Sequence, residues 1–216
     1  MISWTAFENA ATKSERRIFD QLATPARLQA FLDRLTYSSD PIYRSPLRVL
    51  RERKGHCFDG AVFAAAVLQR IGYPPLILEL LPNGRDDDHL LAVYRKDGCW
   101  GALAQSNFTG LRYREPIYRS LRELVMSYFE QFYNIDREKT LRGYTEPINL
   151  RAYDSREWMT RDATMRQIAG GLDRAPHRKV LTRKMVRGLV LVDERSFRSG
   201  LMGAVHKGLY QPRDKN

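Results

Sequence analysis

Cysteine is scarce in this chain of 216 residues, which has two, Cys57 and Cys99. Their spacing matches no zinc-ligand pattern, and two thiols make no disulfide framework. A stapled secreted fold and a zinc module are therefore both excluded, and no metal or other cofactor is expected. Long hydrophobic runs are also missing. The longest, Phe58 to Leu68, is too short to span a bilayer. The N-terminal stretch lacks a basic segment followed by an apolar one, so no signal peptide is expected. A soluble, reducing, cytoplasmic setting without a membrane partner follows as the expectation. Repeats and low-complexity segments are absent as well.

Acidic residues are in deficit, 25 against 36 lysines and arginines, for a formal charge of +11. Such a balance favours acidic partners. Much of the excess falls in the C-terminal third, where Arg174, Arg178, Lys179, Arg183, Lys184, Arg187, Arg195 and Arg198 cluster. An acidic partner for that third is one expectation. Nucleic-acid binding is a weaker reading, because no zinc module, RNA-recognition signature or regular aromatic interleaving accompanies the charge.

What is present organises the chain around Gly55-His56-Cys57 and the apolar stretch behind it. A helix apolar on nearly every side belongs inside a protein. A thiol at its N-terminus lies near free backbone N–H groups and the positive end of the helix dipole, which favour the thiolate nucleophile. Before it, residues 1–38 read as two helices, the second opened by Thr24-Pro25. A short helix from about Ser45 to Arg53 leads to Gly55. After it come a buried strand, Leu76–Leu81, and two more, His89–Arg95 and Cys99–Gln105. Residues 117–133 read as one long amphipathic helix, 135–150 as loop, and 154–168 as helix. Asp86-Asp87-Asp88 reads as a solvated loop, since it lacks calcium-loop spacing.

Nucleophilic thiol chemistry needs a base near the thiol and a group that orients the base. His89 opens a strand joined by a tight turn to one that ends in Gln105-Ser106-Asn107. With Lys96-Asp97-Gly98 as the loop, Arg95 pairs with Cys99 and His89 faces Gln105, their Cβ atoms roughly 5 Å apart. Asn107 is then a diagonal neighbour on the same face. A two-residue Asp97-Gly98 turn shifts the count by one and brings Ser106 opposite His89. Cys99, beside Trp100, reads as a small buried side chain.

Cys57 at the head of a buried helix, His89 at the start of a strand and a Trp100-containing strand with a polar end resemble the transglutaminase-like superfamily. The resemblance covers roughly residues 40–110. It implies an α+β fold with a papain-like core, the nucleophile helix packed on a small antiparallel sheet and helices flanking it at both ends. One domain would comprise N-terminal helices over 1–39, the core over 40–135 and a basic helical extension over 136–216. By this resemblance Cys57 is the nucleophile and His89 the base and acid. The third position, an aspartate in most of the family, is Asn107 here, with Gln105 or Ser106 as alternatives. The implied activity is acyl transfer from, or hydrolysis of, an amide or peptide bond in a protein, peptide or small amide substrate. The absent carboxylate motivates the alternative of a catalytically inactive binding module.

Overall fold

The computed structural model describes residues 2–212. Three helices open the chain: α1 (Ile2–Ala10), α2 (Lys13–Gln21) and α3 (Pro25–Leu32). Two were expected from apolar spacing alone. The additional break falls at Thr12, whose hydroxyl accepts the Glu15 N–H while the Glu15 carboxylate accepts the Thr12 N–H. This reciprocal cap starts a new helix regardless of the apolar stripe running through it. Thr24 caps α3 as its Pro25 suggests.

Two short parallel strands, β1 (Thr36–Tyr37) and β2 (Lys54–Gly55), flank α4 (Pro46–Glu52) and deliver the chain to α5 (Cys57–Arg70). Every residue of α5 from Phe58 to Leu68 is buried. Its small side chains, Ala61, Ala64, Ala65 and Ala66, let it lie close to the sheet. Phe63 stacks on Phe31 with centroids 4.9 Å apart and meets Phe19 edge-on. Burying each such ring contributes about 1.5–3 kcal/mol.

The main sheet comprises β3 (Leu76–Pro82), β4 (His89–Lys96), β5 (Cys99–Leu103), β6 (Arg114–Tyr118), β7 (Leu141–Thr145), β8 (Ile148–Asn149) and β9 (His177–Lys179). Its order is β6-β5-β4-β3-β7-β9, with β8 also on β3. All these pairings are antiparallel. The remaining helices are α6 (Leu121–Met126), α7 (Asp162–Asp173), α8 (Arg183–Arg187) and α9 (Glu194–Gly200). Helix and sheet segments together make an α+β protein. None of the described helices is long and apolar enough to cross a membrane.

Alternation along β4 divides the interior in two. Leu90, Ala92 and Tyr94 face the core that contains α5, and Leu91 and Val93 face a second core on the opposite side of the sheet. The second core includes Leu124, Val125, Tyr128, Phe129 and Phe132, the stripe expected of one helix over 117–133. That helix does not form. Residues to Tyr118 are strand, Ser120 caps α6, and a 3-10 turn over Phe129–Gln131 follows. Ser127 ends α6: its hydroxyl bonds back to Leu124 O, and Arg114 donates to both its hydroxyl and its carbonyl.

The C-terminal third differs from a helical wrap. β7 pairs directly with β3, β9 pairs with β7, and Met165, Ile168 and Leu172 of α7 enter the core around α5. Residues 154–168 split into a 3-10 segment, Leu150–Arg156, and α7, which continues through Gly170-Gly171 to Asp173.

Candidate active site

Cys57 is the first residue of α5, and that helical turn is held by buried charge. Asp59, with no solvent exposure, accepts the His56 N–H at 3.3 Å, the Arg44 N–H at 2.7 Å and an Arg44 guanidinium N–H at 3.2 Å. Arg44 is itself only 1% exposed and also pairs with Asp40 and Glu52. Burial raises the Asp59 carboxyl above its usual range, opposed by His56 and by the bonds from Arg44. One turn on, Gly60 backs onto the end of β5: a Cβ there would lie 2.3 Å from the Gln105 Cβ. A larger side chain would push the cysteine turn away from the sheet.

The thiol does not have the character expected of a helix N-terminus. Its Sγ lies 4.0 Å from the Asp88 carbonyl oxygen. Burial pushes the thiol well above its ordinary range, and Asp88 and Asp87 push the same way; the Leu90 and Phe58 N–H groups oppose them. A helix terminus contributes about 0.3–1 kcal/mol, up to ~2. Although Cys57 as a residue is half-buried, desolvation of its sulfur is the larger effect, since it can move a buried group by up to about 3–5 pKa units. The native chain should therefore alkylate slowly at Cys57 with iodoacetamide at neutral pH. The rate should climb about tenfold per unit past pH 9, since only the thiolate reacts. A native labelling rate equal to that of the urea-unfolded chain at pH 7 would contradict this burial.

His89 occupies the first position of β4, with the parity of Leu91 and Val93, so its ring points away from the α5 face. Its Nε2 lies 2.7 Å from the Leu111 carbonyl oxygen. A carbonyl can only accept, so Nε2 carries the proton and Nδ1 the lone pair in the neutral ring. Burial lowers the imidazole to about 4, partly opposed by the Leu111 bond. Cys57 and His89 lie on opposite faces of β4 but meet at its end, where both line one cavity of about 50 Å³. Among the described residues no hydrogen bond joins them.

The expected third member is not seen on the imidazole. The β4–β5 turn has two residues, Asp97 and Gly98, with φ of 50° and 82°. Lys96 pairs with Cys99 and Arg95 with Trp100, so the three-residue loop is corrected to the shorter one. That register points Ser106, not Gln105, across from His89, although the ladder stops at Ala92–Leu103. Gln105 Nε2 donates to Leu35 O, and its buried Oε1 has no partner among the described residues. Ser106 Oγ accepts the Phe108 N–H. Asn107 bonds through both amide atoms to the backbone of Val205. The group orienting the ring is a main-chain carbonyl, which no side-chain pattern announces.

A larger cleft of about 430 Å³ opens on the α5 side of Cys57, between Tyr37, Tyr43, Glu79, Asp88 and Leu172. Glu79, 7% exposed on β3, was overlooked in the sequence, yet a lone carboxylate inside the apolar run Leu76–Leu81 is a signal. It lines the cleft together with Asp88. Burial, and after it the neighbouring Glu79 carboxylate, push Asp88 up to about 8. A carboxyl raised in the folded state stabilises fully below its unfolded pKa and loses that contribution as pH rises through its folded value. Stability should therefore decline between about pH 4 and 8. Asp86, pushed up to about 6 by burial, acts in the same window. In Glu79→Gln the decline should shrink by about 1 kcal/mol, measured by urea unfolding at pH 5 and 8. An undiminished decline would show that Glu79 does not act on Asp88.

The basic side chains around the site are held by partners of their own. Arg48 pairs with Glu52 and Asp162, Arg51 with Glu15, and Lys54 with Asp40, while Arg53 lies over the Phe31 ring. His56 Nε2 lies 3.1 Å from Ile42 O. Arg112 reaches Asp33 and Arg114 packs on Tyr128, away from both cavities. No group of three or more metal-ligating side chains occurs among the described residues.

No family model matches the sequence, and no curated protein does. Solved structures with a similar chain path include Legionella pneumophila LapG. One LapG structure is 16% identical with a TM-score of 0.35, covering 48% of this chain and 70% of that one. An EGTA-treated form is 13% identical with a TM-score of 0.41, covering 77% and 95%. At these values the likeness assigns no function.

Proposed function

We propose that this protein performs thiol-dependent acyl transfer or hydrolysis on an amide bond, with Cys57 as nucleophile and His89 as base and acid. The observation that carries the reading is the shared cavity of Cys57 and a histidine whose Nε2 is committed to Leu111 O. That commitment leaves Nδ1 to take the thiol proton. The thiolate attacks the amide carbonyl, and His89 returns the proton to the departing amine. The acyl-thioester on Cys57 is then resolved by water or a second amine. Leu111 takes the orienting role that a side chain holds in papain-like sites. Asn107, Gln105 and Ser106 are left for other work.

A second reading, a binding module that has lost catalysis, is favoured by the burial that disfavours charge on both the thiol and the imidazole. An activated ester separates the two. Incubation with p-nitrophenyl acetate and intact-mass analysis should show one acetyl adduct on Cys57, absent from Cys57→Ser. An adduct confined to other residues would favour the binding module.

A further inference from the structure

The ends of the two cavities are closed by the chain's own last described residues. Gly208 and Tyr210 line the cavity of Cys57 and His89, and Lys207 through Tyr210 line the larger cleft. This strap is lightly held. Residues 205–210 are all exposed or half-buried. Among the described residues its hydrogen bonds are local, from Gly208 N–H to Val205 O, from Leu209 N–H to His206 O and from the Gln211 amide to Leu209 O, with two exceptions. Both exceptions are at Asn107. The Asn107 amide donates to Val205 O at 2.9 Å, and its Oδ1 accepts the Val205 N–H at 2.7 Å.

Asn107 is 6% exposed, so its amide is a fixed feature of the groove wall. Val205 has an extended backbone, φ −82° and ψ 101°. One carboxamide that pairs with both the N–H and the C=O of an extended residue does what a neighbouring β-strand does, and reads backbone without regard to side chain. Gly208 lies flat against the Tyr37 ring, where a Cβ would come within 2.8 Å of ring carbon. The groove thus grips one extended residue by its main chain and, past a single 3-10 turn over His206–Gly208, admits a glycine beside the thiol.

We propose that this groove is a binding site for a polypeptide segment that is extended where it meets Asn107, its backbone clamp, and that residues 205–210 occupy it as an intramolecular stand-in. The inference rests on the thiol-site reading only for what the bound segment meets. Asn107 is then a positioning residue for substrate, and the chain as it stands is self-inhibited.

The test uses the full chain and reads Cys57 alkylation by iodoacetamide at pH 8. Val205→Pro removes the N–H that Asn107 accepts, at a φ close to that of proline. Gly208→Leu drives the strap from Tyr37. Each should raise the labelling rate at least about tenfold with an unchanged urea midpoint, one decade being the effect of about 1.4 kcal/mol. A synthetic peptide with the sequence of residues 204–210 should then slow labelling of Val205→Pro. It should not protect Val205→Pro/Asn107→Leu. Wild-type labelling rates in a folded strap variant would overturn the proposal, and so would fast labelling that the peptide leaves unaltered. Neither readout requires turnover, so loss of acyl chemistry alone leaves this result standing.

Discussion

Arg44→Met should destabilise the folded chain by about 3–5 kcal/mol, the cost of breaking a buried pair from one side. Asp40 and Glu52, the other carboxylates on that guanidinium, are partly exposed and can regain water. Asp59 cannot, because it is fully buried beneath the first turn of α5. It must take up a proton or remain an uncompensated charge. The double variant Arg44→Met/Asp59→Leu should recover more than half of the loss, because it removes both buried charges together. Urea unfolding of the four chains measures this coupling. A single-variant loss below about 1 kcal/mol, or a double variant no better than the single, would show that the pair does not anchor the cysteine turn.

His89→Ala should slow acetylation of Cys57 by p-nitrophenyl acetate by about 10²–10⁴, the range of a positioned base. Cys57→Ser should lose at least about 10³. Combining the two changes should cost little more than the larger alone, because groups that act as a unit are not additive. The comparison is best made in the Val205→Pro chain, where the strap does not limit access. Stopped-flow release of nitrophenolate follows the rate, and intact mass places the acetyl group. Equal rates with and without the imidazole would remove His89 from the chemistry.

Much of the frame is legible in the residues themselves. The apolar stretch after Cys57 could only be interior, and Leu76–Leu81 and His89–Arg95 are strands within a residue of their observed bounds. The misreadings have physical causes. Thr12-Lys13-Ser14-Glu15 carried a capping signal that the apolar stripe concealed, because a stripe can run across a break if both pieces pack on one core. Residues 117–133 bury the same side chains as a single helix would, so periodicity could not distinguish it from strand, helix and 3-10 turn. In the β4–β5 hairpin one residue of loop length decides which polar side chain lies across from His89.

At the site, the thiol's position was legible and its chemistry was not. Proximity to a helix N-terminus is a local property visible in sequence, whereas the larger effect, burial beside Asp88, comes from elements far apart in the chain. The Leu111 carbonyl and the Val205 backbone are equally invisible, since main-chain groups carry no residue type. Gln105, Ser106 and Asn107 looked interchangeable until their partners were seen.

Cys57 and His89 acting as a coupled pair once the strap is displaced is the centre of this account. Access of water lowers the thiol and raises the imidazole, which permits a thiolate–imidazolium pair. The pH dependence of Cys57 alkylation in Val205→Pro, with and without His89→Ala, tests it most directly. The account predicts a reactive plateau below pH 8 that His89→Ala abolishes, leaving one titration near an ordinary thiol value. Identical profiles in both chains, each a single titration with no plateau below pH 8, would contradict it.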